Sequence, residues 1–154
     1  CLILPGIWDP LPVMLDERNI RFLERFRGDD RFVIGSISSS PLLLGKAGLL
    51  EGKRFTHGLF EEFLDAFPVV PREGAVRTYL VEDGNLITAH GGAFREFAAA
   101  VARKVGIDCG DTVFSGMAGK GYTEEDFIFH FPPEMMSEAR EYWDKCLEEA
   151  GVQG

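Results

Sequence analysis

The stretch F-V-I-G-S-I-S-S-S-P, residues 32–41, joins a largely apolar run directly to a cluster of three serines. A run of this kind is typical of a strand that is buried on both faces of a parallel sheet. Pro41 stands where a helix would begin, because the first turn of a helix does not use the N–H that proline lacks. The stretch therefore predicts a strand, a sharp turn at Ser38 and a short helix.

A nucleophile on such a turn needs small residues two positions before and after it, because the strained backbone brings those side chains close to their neighbours. Ser36 and Ser40 satisfy this requirement around Ser38. The free N–H groups and the positive dipole end of the following helix favour an anion at the same point. We therefore expect a nucleophile elbow centred on Ser38. A helix N-cap cluster is the alternative interpretation of the three serines, and these residues alone do not separate the two.

A reactive Ser38 would need a base, since a helix dipole can favour a thiolate but cannot ionise a serine hydroxyl. His57 is the candidate base in this half of the chain, because it ends a short strand pattern over 54–56 that could lie beside the elbow. The alternative is a loop histidine whose ring is hydrogen-bonded to the backbone. His90 and His130 are both predicted to be structural.

Strand and helix patterns alternate along the rest of the chain. Further strands are predicted at residues 1–4 and as a hairpin over 76–88, whose turn, Asp83-Gly84, is a pair favoured in tight turns. Helical patterns occur after the capping residue Asp16, over 59–67, from Phe94 to Val105, in a short capping-box segment at 123–126, and from Pro133 to Ala150. This alternation predicts a three-layer α/β sandwich around a mostly parallel sheet.

The composition argues against several classes of partner. The net charge of -9 opposes binding to nucleic acid, which requires clustered Lys and Arg, and it opposes binding to anionic membrane surfaces. No apolar stretch approaches the length of a membrane span, and no signal peptide pattern is present, so a cytoplasmic protein is expected. The three cysteines show no paired spacing, so they signal neither disulfides nor a zinc site. No metal or cofactor is predicted.

Four blocks of sequence, in the same order, resemble the ThiJ/PfpI superfamily, which includes the parkinsonism-associated deglycase and the archaeal intracellular proteases and is similar to class I glutamine amidotransferases. L-I-L-P-G at 2–6 is similar to the strand and turn that precede the family's elbow. S-I-S-S-S-P at 36–41 resembles its A-I-C-x-G-P elbow. The other two blocks, G-L-L-E-G-K-R-F-T at 48–56 and D-G-N-L-I-T-A at 83–89, match its G-L-L-x-G-(K/R)-x-x-T and D-G-N-(L/I)-I-T-(A/S) patterns.

The resemblance implies a flavodoxin-like sandwich and frequent homodimers. It implies a nucleophile position at Ser38, elbow and oxyanion-binding groups at Ser39, Ser40 and Gly6, and a histidine at or near His57. Residues 1–106 are expected to be the C-terminal part of the family domain, and residues 107–154 a helical extension packed on it. The family also has a first strand that carries a carboxylate, usually Glu. We expect a preceding or separate N-terminal segment to supply that strand and carboxylate.

The family's cysteine is replaced here by Ser38, so its thiol-based glyoxalase, deglycase and amidase activities do not transfer directly. Ser39 also stands where the protease branch has a histidine. One hypothesis is therefore a small-molecule binding or regulatory module that keeps the elbow pocket. The other is a serine-dependent hydrolase or amidase, in which Ser38 attacks a carbonyl, His57 takes the proton and elbow N–H groups hold the oxyanion. A purely structural partner protein is a third, weaker alternative.

Overall fold

A four-stranded sheet of order β1-β2-β4-β3 is the centre of the fold in the computed structural model, which describes residues 1–66, 68–109 and 123–151. The strands are β1 (Leu2–Leu4), β2 (Ile34–Ile37), β3 (Leu80–Asp83) and β4 (Leu86–Ala89). β1, β2 and β4 are parallel, whereas β3 pairs antiparallel with β4. The predicted mostly parallel sheet and the predicted hairpin are confirmed.

The described residues form five α-helices: α1 (Leu11–Leu15), α2 (Glu17–Glu24), α3 (Pro41–Lys46), α4 (Phe94–Lys104) and α5 (Met136–Glu149). Asp16 caps α2 as predicted, since its side chain accepts a hydrogen bond from the Arg18 N–H at 2.9 Å. Helix α1 is not among the helices predicted above, and Pro10 and Pro12 stand at its N-terminal end. Both prolines fall at its start, where the missing N–H groups are not needed.

Two predicted elements are shorter than expected. The helical pattern over 59–67 is a 3-10 helix over Glu61–Ala66, and its predicted end at Phe67 lies outside the described residues. The prediction of a strand at 54–56 is wrong, because of these residues only Phe55 pairs, in an isolated bridge with Ala75. Part of the extension expected over 107–154, residues 110–122, also lies outside the described residues.

One face of the sheet is covered by α4. Gly35 of β2 makes this close approach possible, because a Cβ at that position would lie 2.9 Å from Phe97 Cζ and 2.9 Å from Val101 Cγ2. Ile37 and Ile87 pack against the same helix residues to complete this layer. The apolar stripe predicted for α4 is therefore the stripe that meets the sheet.

The opposite face carries the larger apolar cluster, to which α1, α2, α3 and α5 all contribute buried side chains. Phe55 and Phe63 are its largest fully buried members, and Trp143 and Leu147 bring α5 into the same cluster. Helices on both faces of a mostly parallel sheet make a flavodoxin-like three-layer sandwich. Within the described residues, no helix combines the length and the apolar character that a bilayer crossing requires.

Candidate functional site

Ser38 lies between the end of β2 and the start of α3, in a strained turn. Its φ of 66° places it in the left-handed region, where it is the single non-glycine residue among the described part of the chain. Two backbone hydrogen bonds hold the turn: Ser38 N–H donates to the Ala89 carbonyl at 2.9 Å, and Gly58 N–H donates to the Ser38 carbonyl at 2.7 Å. Such strain costs about 1–2 kcal/mol and persists only where the surrounding structure enforces it. The strand, turn and helix occupy the predicted positions.

The hydroxyls of the neighbouring serines hold the loop that follows β1. Ser40 Oγ lies 2.9 Å from the Ile37 carbonyl and also hydrogen-bonds the Pro5 carbonyl. Ser39 Oγ donates to the Ile7 carbonyl and accepts from the Ile7 N–H. Ser40 occupies the N-cap position of α3, as the N-cap interpretation of the serine cluster requires, but its side chain makes no capping hydrogen bond. Both side chains are structural, and Ser38 keeps its hydroxyl without a partner among the described residues.

Glycine residues surround the Ser38 side chain on several sides. A Cβ at Gly6 would lie 3.1 Å from Ser38 Cβ, and a Cβ at Gly91 would lie 3.3 Å from Ser38 Oγ. Neither the Gly6 N–H nor the Ser39 N–H donates a hydrogen bond within residues 1–66, 68–109 and 123–151. The predicted elbow residues Gly6 and Ser39 therefore offer two unused backbone donors beside the Ser38 hydroxyl.

Ser38 opens onto a cavity of about 410 Å³, which we call the elbow cavity. Its walls are mainly aromatic and aliphatic, and both tryptophans of the chain, Trp8 and Trp143, belong to them. His130 is the histidine that lines it. The other wall residues are Ile7, Pro10, Ser39, Gly58, Leu59, Phe60, Gly91, Phe129 and Pro132.

His57, the predicted base, lines a different cavity of about 450 Å³ together with the Glu61–Arg77 ion pair. Its Nδ1 accepts a hydrogen bond from the Leu59 N–H at 3.2 Å. Burial of the imidazole lowers the pKa of His57 from 6.5 to about 4, so the ring is neutral at pH 7. No hydrogen bond joins Ser38 to His57 in the described part of the chain. The structure therefore does not pair these two side chains.

The remaining two histidines differ in their surroundings. His90 is buried, which lowers its pKa, and its Nδ1 accepts from the Gly92 N–H at 3.2 Å. His130 Nδ1 lies 2.7 Å from Glu62 Oε1. No sequence pattern predicts this pair, because the two residues are 68 positions apart and no local spacing connects them.

Histidine, cysteine and carboxylate side chains could in principle hold a metal ion. Within the described residues, no group of three or more of them is arranged to do so.

Replacing Ser38 with glycine should raise the free energy of unfolding by about 1 kcal/mol, because glycine adopts a positive φ without strain. Ser38→Ala is the matched control, since alanine removes the hydroxyl but keeps the Cβ that causes the strain. Equilibrium denaturation with urea measures both variants. A stability gain of equal size in Ser38→Ala would contradict the assignment of strain to the backbone.

Three comparisons place the chain among known proteins. No family model matches it. Over 115 residues it is 35% identical to the isonitrile hydratase of Pseudomonas putida, a match that covers 73% of this chain and 48% of that protein. The chain thus spans about half the length of this relative.

Solved structures with the same fold include a cysteine-to-alanine mutant of a DJ-1 superfamily protein from Salmonella typhimurium. That match has a TM-score of 0.56 and 32% identity, over 70% of this chain and 57% of that one. A ThiJ/PfpI family protein from Bacillus anthracis matches with a TM-score of 0.59 and 21% identity, over 99% of this chain and 64% of that one. The similarity to these relatives, the flavodoxin-like sheet and the turn at Ser38 all indicate the same family. The chain belongs to the DJ-1/ThiJ/PfpI superfamily.

Proposed function

We propose that this chain binds a small, mainly apolar molecule in the elbow cavity and holds one hydrogen-bond acceptor of that molecule at Ser38. The observation that carries the proposal is the strained Ser38 turn, which presents to an apolar cavity a hydroxyl that has no partner among the described residues. Backbone strain of this kind is concentrated at ligand and active sites. A turn that served only to connect a strand to a helix would not need a strained residue.

The size and lining of the cavity define the apolar part of the ligand. A volume of about 410 Å³ lies near the lower end of the range for small-molecule sites. Phe60, Phe129 and Trp143 supply aromatic surface, and Trp8 at the rim is 85% exposed. Transfer of about 150 Å² of apolar ligand surface from water to such walls would contribute about 4 kcal/mol. A compact aromatic or aliphatic group fits this environment.

The polar end of the ligand is defined by the elbow itself. The N–H groups of Gly6 and Ser39 and the hydroxyl of Ser38 are all hydrogen-bond donors without partners among the described residues. Hydrogen-bond donors grouped around one side chain favour an acceptor or a developing negative charge beside it. The preferred ligand therefore ends in a single acceptor group.

The relative from Pseudomonas putida suggests one chemical class of ligand. An isonitrile combines an apolar substituent with a terminal carbon whose lone pair accepts a hydrogen bond, so it suits both ends of the elbow cavity. Benzyl isonitrile is a suitable probe, because its ring suits the aromatic walls.

Tryptophan fluorescence can test this proposal directly, since both tryptophans of the chain line the elbow cavity. Titration with benzyl isonitrile should change the emission in a saturable way. An emission that changes only linearly with concentration, as in collisional quenching, would overturn the proposal for this ligand class.

Two neighbouring glycines provide a matched pair of variants for the same titration. Gly91→Ala adds a methyl group 3.3 Å from Ser38 Oγ, in the wall of the elbow cavity, and should raise the Kd for benzyl isonitrile about tenfold, or about 1.4 kcal/mol. Gly92→Ala adds the same group in ordinary contact with His90 Nδ1, at 3.5 Å, and should leave the Kd within about twofold. Equal effects at both positions would place the ligand elsewhere.

A further inference from the structure

The hydrogen bond at Nδ1 determines which ring nitrogen of each neutral histidine can accept a proton. His57 Nδ1 accepts from the Leu59 N–H, and His90 Nδ1 accepts from the Gly92 N–H. In the neutral form of both rings, the proton must therefore be on Nε2. Neither histidine can offer Nε2 as a base while these hydrogen bonds are kept.

His130 has the opposite arrangement. A carboxylate can only accept, so Glu62 Oε1 at 2.7 Å requires that His130 Nδ1 carries the hydrogen. Nε2 of the neutral ring then carries the lone pair, and it accepts no hydrogen bond from any residue that the structure describes. Among the three histidines of the chain, His130 alone combines this tautomer with a place in the wall of the elbow cavity.

Glu62 is itself held in position. Its Oε2 accepts from the Phe131 N–H at 3.3 Å, and the hydrogen bond from His130 is the main cause that lowers the pKa of Glu62. The carboxylate therefore stays ionised and keeps orienting the ring. A base oriented by a carboxylate and placed in the same cavity as a hydroxyl is the arrangement that activates a serine.

We propose that Ser38, His130 and Glu62 act as nucleophile, base and positioning carboxylate toward an ester or amide bound in the elbow cavity. Ser38 Oγ bonds to the carbonyl carbon while its proton passes to His130 Nε2. The bond from that carbon to the leaving group breaks, and the leaving group takes the proton. Water then releases the acid and restores Ser38 by the same proton route. The N–H groups of Gly6 and Ser39 hold the oxyanion in both steps.

This inference rests on the proposed function, because the substrate must occupy the elbow cavity. Within the described residues, Ser38 makes no hydrogen bond to His130. Catalytic hydrogen bonds of this type are often long in ligand-free enzymes and tighten once the substrate is bound. The side chain of His130 is 69% exposed, which leaves its ring room to approach the bound substrate.

A fluorophosphonate probe reports on the first step alone. The Ser38 Oγ–P bond forms, the P–F bond breaks, fluoride leaves and His130 takes the hydroxyl proton. Peptide mass spectrometry should find the label on Ser38, and Ser38→Ala should not be labelled. An unlabelled wild-type protein that still binds benzyl isonitrile would overturn this inference and leave the proposed function intact. An unlabelled protein that also fails to bind would overturn this inference and, for the isonitrile ligand class, the proposed function as well.

Two substitutions separate the roles of the pair. His130→Asn keeps a donor toward Glu62 but removes Nε2, and it should slow labelling about 100-fold. Glu62→Gln can donate to Nδ1, which would move the ring proton to Nε2, and it should slow labelling about tenfold or more. The ¹⁵N spectrum of the histidine rings should show this change of tautomer, which a loss of folding would not produce.

The controls are the matching residues of the other cavity. His57→Asn and Glu61→Gln should leave the labelling rate within about twofold. If His57→Asn slowed labelling as much as His130→Asn does, His57 would be the base and the inference would be overturned. An unchanged tautomer in Glu62→Gln would remove the positioning role from Glu62.

Discussion

Phe63→Ala should lower the free energy of unfolding by about 4 kcal/mol, the largest effect that we expect from a single substitution. The Phe63 ring is completely buried, and its centroid lies 4.2 Å from that of Trp143 and 5.4 Å from that of Phe131. The guanidinium of Arg140 lies 4.9 Å from the same centroid. Truncation to alanine removes all these contacts and leaves a void that the surrounding rings cannot fill.

Denaturation with guanidinium chloride measures this effect, and Phe22→Ala is the matched control. Phe22 lies on α2 and is 45% exposed, so its truncation should cost about 1 kcal/mol or less. The fluorescence response to benzyl isonitrile should also weaken in Phe63→Ala, because Trp143 packs on Phe63 and lines the elbow cavity. Similar losses in the two variants would mean that Phe63 is not central to the core.

The parts of the fold that the sequence predicts are those fixed by neighbouring residues. The hairpin turn at Asp83-Gly84 and the apolar stripe of α4 depend on spacings of a few residues. The pairing of Phe55 with Ala75 depends instead on how two distant segments meet. No pattern at 54–56 contains that information, and a strand was predicted where a single bridge exists.

The candidate site also has features that neighbouring residues predict and features that depend on distant segments. The turn at Ser38 follows from small residues two positions away and from the start of α3, which are local features. The orientation of the His57 ring depends on the hydrogen bond from the Leu59 N–H and on a cavity that exists only in the folded chain. The pairing of His130 with Glu62 requires two segments of the chain to meet, so sequence spacing gave no reason to prefer His130 to His57.

Lowering the pH from 7 to 5 should reduce the free energy of unfolding by about 2 kcal/mol through His57 alone. The unfolded chain takes up a proton at His57 near the ordinary pKa of 6.5, whereas burial lowers the pKa in the folded state to about 4. The unfolded state therefore binds the proton first as the pH falls. This contribution to stability is intact above pH 6.5 and decreases between pH 6.5 and 4, where the full loss is about 3 kcal/mol.

The difference between wild type and His57→Asn isolates this contribution, because His90 is also buried with a lowered pKa and would titrate in both proteins. Urea denaturation at pH 7, 6 and 5 should show that wild type loses about 2 kcal/mol more than the variant over this interval. Parallel curves would mean that solvent reaches the His57 ring and that burial does not hold it neutral. A His57 with an ordinary pKa could exchange protons near pH 7 and would compete with His130 as the base. A steeper loss in wild type would support a neutral His57 that donates from Nε2 and would leave His130 as the acceptor in the elbow cavity.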